Sequence, residues 1–183
     1  MSTHRPHIHF SVLQRLLHWL MAAMILSMLF IGIAMVTTVS RAHETLIAIH
    51  RPLGIALLAL LIIRTFVRVT RGSPPLPDDM PAAQRFAAKA SHLVLYLLMA
   101  AMPLIGWGML SAGGYPVTMF GAFHLPPILP HDTRLYALLR ALHTGLAFAL
   151  FATVLLHLAA ALLHGLIRRD GVFASMTWGR GRA

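Results

Sequence analysis

The chain contains no cysteine and few charged residues, and both absences limit what it can be. Of its 183 residues, 11% are charged and 58% are hydrophobic, whereas a soluble domain has about 25% charged residues. Without cysteine there is no disulfide framework, no thiolate-held iron–sulfur cluster and no covalent attachment of c-type haem. The mean hydropathy of +0.75 indicates a polytopic membrane protein with a single domain, residues 1–183.

Acidic residues are also scarce. There are five of them against fifteen Lys and Arg, which gives a net charge of +10. A strong positive charge is typical of nucleic-acid binding, but these basic residues lie between apolar stretches and not along one polar face. The distribution fits the positive-inside rule of membrane proteins, so we expect no nucleic-acid partner.

Four apolar stretches are long enough to cross a bilayer, which takes about 20 helical residues. We place them at residues 13–38, 45–69, 90–111 and 135–167. In the second stretch Pro52 fits the first turn of a helix, where a missing amide donor is tolerated, and Arg51, Arg64 and Arg68 are expected to snorkel from its ends. Pro103 predicts a kink in the third stretch. The proline-rich segments 72–79 and 112–133 are interpreted as the central and the external loop.

Four spans place both termini on one side of the membrane. Eleven basic residues fall on that side and four on the other, so we expect the termini and the central loop in the cytoplasm. The eleven are Arg5, Arg15, Arg64, Arg68, Arg71, Arg85, Lys89, Arg168, Arg169, Arg180 and Arg182. The four are Arg41, Arg51, Arg134 and Arg140.

Four of the twelve histidines lie inside the apolar stretches: His18, His50, His143 and His157. An ionisable ring in hydrocarbon is costly unless its nitrogens have partners, so such residues indicate a functional site. His143 and His157 are fourteen residues apart, a rotation of about 1400° and so within about 40° of four full turns. Both therefore project from the same face of one helix, separated by about 21 Å along its axis.

Chain direction assigns a depth to each of these histidines. It places His18 with His157 near the cytoplasmic surface, and His50 with His143 near the external surface. Iron suits paired neutral imidazoles buried between helices, so two pairs predict two b-type haems with bis-histidine ligation. A lone membrane histidine is often only an interhelical hydrogen-bonding residue, and structural zinc needs four ligands at one point; both alternatives explain two matched pairs less well.

Two further histidines are alternative ligands. His92 begins the third span at the level of His18. His164 lies seven residues after His157, but its use together with His143 would place the irons about 31 Å apart, roughly the whole hydrocarbon thickness. The simpler interpretation of His164 is an interfacial residue.

Small and basic residues next to the external pair fit a haem. Gly54 and Gly145 follow His50 and His143 where a flat macrocycle needs room, although glycine is common in membrane helices. Arg51 and Arg140 also lie beside these histidines. We expect one or both to pair with haem propionates by charge-assisted bonds, or else to anchor the helices at the interface.

Together these residues resemble the bacterial cytochrome b561 family of small di-haem inner-membrane cytochromes. The matching motifs are Leu17-His18-Trp19, Ile49-His50 with Gly54, Ser91-His92-Leu93-Val94-Leu95-Tyr96-Leu97-Leu98, Leu142-His143-Thr144-Gly145, and the stretch from Leu156-His157 to His164. The resemblance implies an all-α fold, a transmembrane four-helix bundle binding two b-type haems. It places the four iron ligands at His18, His50, His143 and His157.

The resemblance also implies a function. Similar members are superoxide oxidases, which implies that electrons pass from superoxide, or another periplasmic donor, to ubiquinone within the lipid of the bacterial inner membrane. Arginines outnumber Glu44 and Asp132 on the external side, and an excess of positive charge on a surface raises the association rate of an anion. The alternatives are a non-catalytic cytochrome b conduit subunit of a dehydrogenase or hydrogenase complex, and a non-haem membrane metal carrier or sensor. No motif marks a catalytic residue, a quinone site or an oligomer interface.

Overall fold

The computed structural model describes residues 9–77, 79–119 and 123–178; Arg5, Arg180 and Arg182 of the charge count lie outside them. The described chain contains four long helices, α1 (Val12–Thr37), α2 (Ala42–Arg71), α3 (Ala82–Ala112) and α4 (Thr133–Leu162). Each is long and apolar enough to cross a membrane, α4 together with the turn that follows it. The predicted all-α fold, a transmembrane four-helix bundle, is confirmed.

Local sequence explains where the helices begin and end. Ser11 and Gln14 form a capping box at the start of α1: the Gln14 amide donates to Ser11 Oγ at 3.3 Å, and the Ser11 amide donates to Gln14 Oε1 at 3.0 Å. At the start of α4 the carboxylate of Asp132 accepts two backbone amides of the first turn, at 2.8 and 3.0 Å. Gly72 ends α2 with φ of 70°, a conformation that glycine adopts without strain.

The position expected for Pro52 was wrong. α2 begins at Ala42, so Pro52 lies in the helix interior and not in the first turn. An interior proline removes one backbone hydrogen bond, here the bond to the carbonyl of Ala48. Long apolar flanks on both sides and burial of the ring within the bundle offset this loss. Pro103 likewise lies inside α3, which runs unbroken from Ala82 to Ala112.

The helices pack in chain order, and α4 stands apart from the first two. α1 packs on α2, α2 on α3 and α3 on α4, whereas α4 makes no comparably extensive contact with α1 or α2. Leu95 and Leu98 of α3 and Leu150 of α4 form the buried cluster at the α3–α4 contact. The wider separation between α4 and the α1–α2 pair is where the site residues lie.

The connection between α3 and α4 contains a small element that was not expected. Strands β1 (Val117–Met119) and β2 (Phe123–Leu125) form an antiparallel hairpin. The connection is fastened to the bundle by Trp107, whose Nε1 donates to the Pro126 carbonyl at 3.0 Å, and by Ser111, whose Oγ accepts the Ile128 amide at 3.1 Å. We call this end of the bundle the hairpin end.

The chain termini lie at the opposite end, which we call the terminal end. α4 continues into a π-helical turn (Leu163–Arg168), and a short 3₁₀ turn follows at Ala174–Met176. Arg15 Nη1 donates to the Thr177 carbonyl at 2.8 Å, and Trp19 Nε1 donates to the Met176 carbonyl at 2.9 Å. These bonds hold the C-terminal segment against the start of α1.

Candidate functional site

The structure brings the four membrane histidines together as two pairs, one toward each end of the bundle. The ring centres of His18 in α1 and His157 in α4 are 6.3 Å apart. Those of His50 in α2 and His143 in α4 are 6.2 Å apart. In both pairs the rings meet across the wider gap between α4 and the α1–α2 pair. These are the partners that chain direction predicts.

The separation of the rings suits a shared metal ion. Two imidazoles on opposite sides of one ion have nitrogens about 2.0 Å from it and ring centres about 1.1 Å further out, so their centres are about 6.2 Å apart. The ring planes are inclined by 67° and 68°, so the rings are not stacked on each other. The donor set at each pair is thus two neighbouring imidazoles.

Two buried nitrogens of the pair near the hairpin end make no hydrogen bond of standard geometry in the described part of the chain. Nδ1 of His50 and Nδ1 of His143 are buried and make no hydrogen bond of standard geometry within the described residues, although the His143 ring interacts with the backbone of Met102. A buried polar atom without a partner costs about 1–3 kcal/mol. Iron bound through a ring nitrogen offsets part of the cost of burying these imidazoles, so the residues present fit a b-type haem.

Each of the four helices carries two residues of the site, fourteen positions apart in the sequence. This spacing places both residues on one face of the helix, about 21 Å apart along its axis. Since neighbouring helices are antiparallel, the eight residues form two layers. The terminal layer contains His18, Arg64, His92 and His157. The hairpin layer contains Gly32, His50, Gly106 and His143.

In the hairpin layer, Gly106 lets α3 approach the ring of His143. A Cβ at Gly106 would lie 3.2 Å from Cε1 and 3.6 Å from Nδ1 of His143. A Cβ at Gly32 would meet nothing within 4 Å, so α1 leaves open space in this layer. Neither glycine was predicted from the sequence, although each lies fourteen residues from a histidine, and this spacing was the signal that could have found them.

The two glycines expected to make room for a macrocycle leave no open space beside the histidine pair. Gly54 shares the face of His50, but the Cε atom of Met28 lies 3.6 Å from where its Cβ would be, so the space is already filled. Gly145 is exposed and lies about 200° around the helix from His143. Gly145 therefore makes no room beside the pair.

In the terminal layer, His92 and Arg64 accompany the histidine pair. The ring centres of His92 and His157 are 5.5 Å apart, which is shorter than the separation of about 6.2 Å for ligands on opposite sides of one ion. His18 therefore matches His157 better. Arg64 interacts electrostatically with all three rings, and its Nε donates to Tyr96 Oη at 3.2 Å.

The snorkelling expected of Arg64 stays a prediction. Its Nη1 is buried, although the residue as a whole is only half-buried. In the sequence, charge alone grouped Arg64 with Arg51 and Arg68. Its spacing of fourteen residues from His50 was the overlooked signal, because that spacing turns Arg64 toward the site.

The remaining candidates lie outside the two pairs. Arg51 Nη1 donates to the Pro116 carbonyl at 3.2 Å, which ties α2 to the segment before the hairpin. Arg140 is exposed. His164 Nδ1 lies 2.6 Å from Oδ2 of Asp170, so a carboxylate already engages this ring. Within residues 9–77, 79–119 and 123–178, no three His, Cys, Asp or Glu side chains converge to hold a metal ion.

Comparison with known proteins finds one matching family model and relatives that agree with it. Residues 9–179 match the family model described as prokaryotic cytochrome b561. The chain is 33% identical over 174 residues to cytochrome b561 homolog 2 of Escherichia coli (strain K12), covering 91% of this chain and 90% of the relative. It is 30% identical over 176 residues to the probable superoxide oxidase CybB of Yersinia pestis, covering 93% and 96%. It is 27% identical over 127 residues to cytochrome b561 homolog 1 of Escherichia coli (strain K12), covering 69% and 72%.

The match over nearly the whole chain agrees with the helices and the paired histidines described above. Membrane-spanning helices that carry buried imidazoles can hold haem within a bilayer. The chain belongs to the prokaryotic cytochrome b561 family of membrane electron-transfer proteins that bind b-type haem.

Proposed function

We propose that this cytochrome holds two haems, one between His18 and His157 and one between His50 and His143, and moves electrons between a periplasmic donor and ubiquinone. The observation that carries the proposal is the repetition of one geometry, with ring centres 6.3 and 6.2 Å apart, in two layers about 21 Å apart. A single such contact is ordinary in a membrane bundle. Two at matched heights on one helix support two metal centres.

The chain's own residues hold the centres and exclude water from the space between them. α4 supplies one imidazole to each layer, so the spacing of the layers is fixed by a single helix. Leu150 lies midway between His143 and His157, and it packs on Leu95 and Leu98 of α3. Bound haem supplies one-electron chemistry, while the protein sets its potential, spacing and access.

Superoxide is the donor that we favour. Its oxidation gives up one electron and leaves dioxygen, and two such electrons with two protons convert ubiquinone to ubiquinol. The hairpin end carries Arg41, Arg51, Arg134 and Arg140 against Glu44 and Asp132, and an excess of positive charge raises the local concentration of a small anion. The relative from Yersinia pestis is named a probable superoxide oxidase, which supports the same donor.

The excess of Lys and Arg at the terminal end supports an orientation with both termini in the cytoplasm. The hairpin end then faces the periplasm of the bacterial inner membrane. In this orientation Arg51 and Arg140 lie at the periplasmic surface, where we propose that they pair with carboxylates of the nearer haem. Loss of either guanidinium should lower that haem's midpoint potential, and unchanged potential and occupancy in both Arg51→Ala and Arg140→Ala would refute this role.

The test uses the purified chain without partners. Dithionite-reduced spectra and a haem assay should give two b-type haems per polypeptide, and enzymatically generated superoxide should drive reduction of a soluble ubiquinone. His164→Ala is a matched control, because this ring is paired with Asp170 and belongs to neither layer. Two haems without superoxide-dependent reduction would favour the conduit-subunit alternative. A colourless preparation would refute the proposal.

A further inference from the structure

We propose that Arg64, together with Tyr96, binds a carboxylate group of the haem held in the terminal layer. The inference rests on the proposed function, because it assumes that His18 and His157 hold a haem. It assigns a role to a cation inside an apolar helix that the histidine pairs alone do not explain.

The guanidinium of Arg64 lies partly inside the bundle. Arg64 lies seven residues before the end of α2, about 10 Å below that end. An arginine at such a depth normally extends along the helix to place its charge in water. Here Nε donates to Tyr96 Oη at 3.2 Å, and Nη1 is buried without a hydrogen-bond partner among the described residues. Arg64 therefore presents an unused donor inside the bundle.

Among the described residues, no carboxylate forms an ion pair with Arg64. Arg68 lies beside Arg64, with its guanidinium carbon 5.9 Å from the centre of the Tyr96 ring. In the part of the chain that the structure describes, the ion pairs involve Asp170 with His164 and Arg168, and none reaches Arg64 or Arg68. An arginine held among apolar side chains of a membrane-spanning helix without an anion is costly. An anion supplied from outside the polypeptide offsets this cost.

The cavity beside Arg64 is small. Arg64, Arg68 and Tyr96 line a small cavity with Gln14 and Leu17. Only about 10 Å³ of it is open to the centre of a water molecule, which is room for about one small polar group. The amide of Gln14 is engaged with the Gly72 carbonyl at 2.8 Å. A space of about one water molecule admits a single carboxylate oxygen beside Arg64 and excludes a quinone ring.

The haem is the source of the carboxylate that the layer geometry favours. Arg64 shares a helix face with His50 and a layer with His18 and His157, and it interacts electrostatically with both of these rings. A porphyrin between His18 and His157 carries its two carboxylates at one edge, where a guanidinium can bind them by charge-assisted hydrogen bonds. A lipid phosphate has similar charge, and the experiment must distinguish the two sources.

The test compares Arg64→Gln, which keeps hydrogen bonding but removes the charge, with Arg64→Lys, which keeps the charge. Arg71→Gln is the control, because Arg71 is an exposed cation at the end of the same helix. The holoprotein is produced with haem labelled with ¹³C at its carboxylate carbons. The readouts are redox-induced infrared difference spectra, the midpoint potential of each haem and the rate of haem loss to apomyoglobin.

We expect Arg64→Gln to shift the label-sensitive carboxylate bands and to lower the potential of the haem that depends on His157. Haem loss from that layer should accelerate about 10- to 100-fold, as expected for one lost charge-assisted hydrogen bond. Arg64→Lys should restore part of the potential, and Arg71→Gln should change none of the readouts.

Unchanged carboxylate bands in an Arg64→Gln protein that keeps both haems would overturn the inference and leave the proposed function standing. A shift of lipid phosphate bands in place of the labelled bands would assign Arg64 to a phospholipid and would also overturn it. Absence of haem from the wild-type protein would instead refute the proposed function itself.

Discussion

The contact between Gly106 and His143 makes a sharp test of the hairpin layer. An alanine Cβ at residue 106 would lie 3.2 Å from Cε1 of the His143 ring, closer than an ordinary van der Waals contact, so the ring must move by a few tenths of an ångström. Metal–ligand distances tolerate only about 0.2 Å. If His143 binds iron as proposed, the imidazole in Gly106→Ala cannot keep both its packing and that bond.

The cost is that of modest overpacking, about 1–3 kcal/mol, which weakens haem binding in this layer by about 5- to 150-fold. The helix itself gains up to about 1 kcal/mol from replacement of glycine by alanine, so the fold should survive. Haem per polypeptide and a redox titration should therefore show weakened occupancy or a shifted potential for the haem that depends on His143. The other haem should be unchanged.

Gly108→Ala is the matched control. It lies on the same helix, and its Cβ would be even closer to a neighbour, 3.0 Å from Cδ1 of Leu129, but a leucine side chain can rotate away and binds no metal. If Gly106→Ala keeps both haems at unchanged potentials, or if Gly108→Ala produces the same loss, the reasoning about the hairpin layer is refuted.

Further predictions concern α4. His157→Ala should remove the haem signal of the terminal layer and spare the other, and His143→Ala should do the reverse; optical spectra that show the opposite assignment would refute the pairing. Leu150→Ala should destabilise the protein by about 2–5 kcal/mol in thermal or denaturant unfolding, because Leu150 is only 8% exposed within the bundle. Leu156→Ala on the same helix should cost far less, since Leu156 is 71% exposed; equal losses would contradict the proposed packing.

The histidine pairs could be derived from sequence because they depend on two simple quantities. Span order fixes the direction of each helix, and position along the span fixes depth, so His18 must lie at the height of His157. Neither step requires knowledge of side-chain packing. This is why the pairing of rings in the structure agrees with the sequence argument.

Arg64 and Gly106 required the packed structure, because their roles depend on what lies opposite them. Charge alone suggested that Arg64 extends toward water, and only the structure shows that its Nη1 is buried. Gly106 has no side chain to attract notice, and its importance comes from the His143 ring of another helix. Pro52 was misplaced for a related reason: helix boundaries depend on packing as well as on local preference.

Helix α4 carries both His143 and His157, and this has a consequence for biogenesis. Synthesis proceeds from the N-terminus, so the first three helices enter the membrane with His18 and His50 but without either partner. If these histidines hold haem as proposed, neither centre can be completed until the last helix has been inserted. Acquisition of the cofactor would then report that α4 has entered the bilayer, and a chain that lacks α4 would offer no paired coordination.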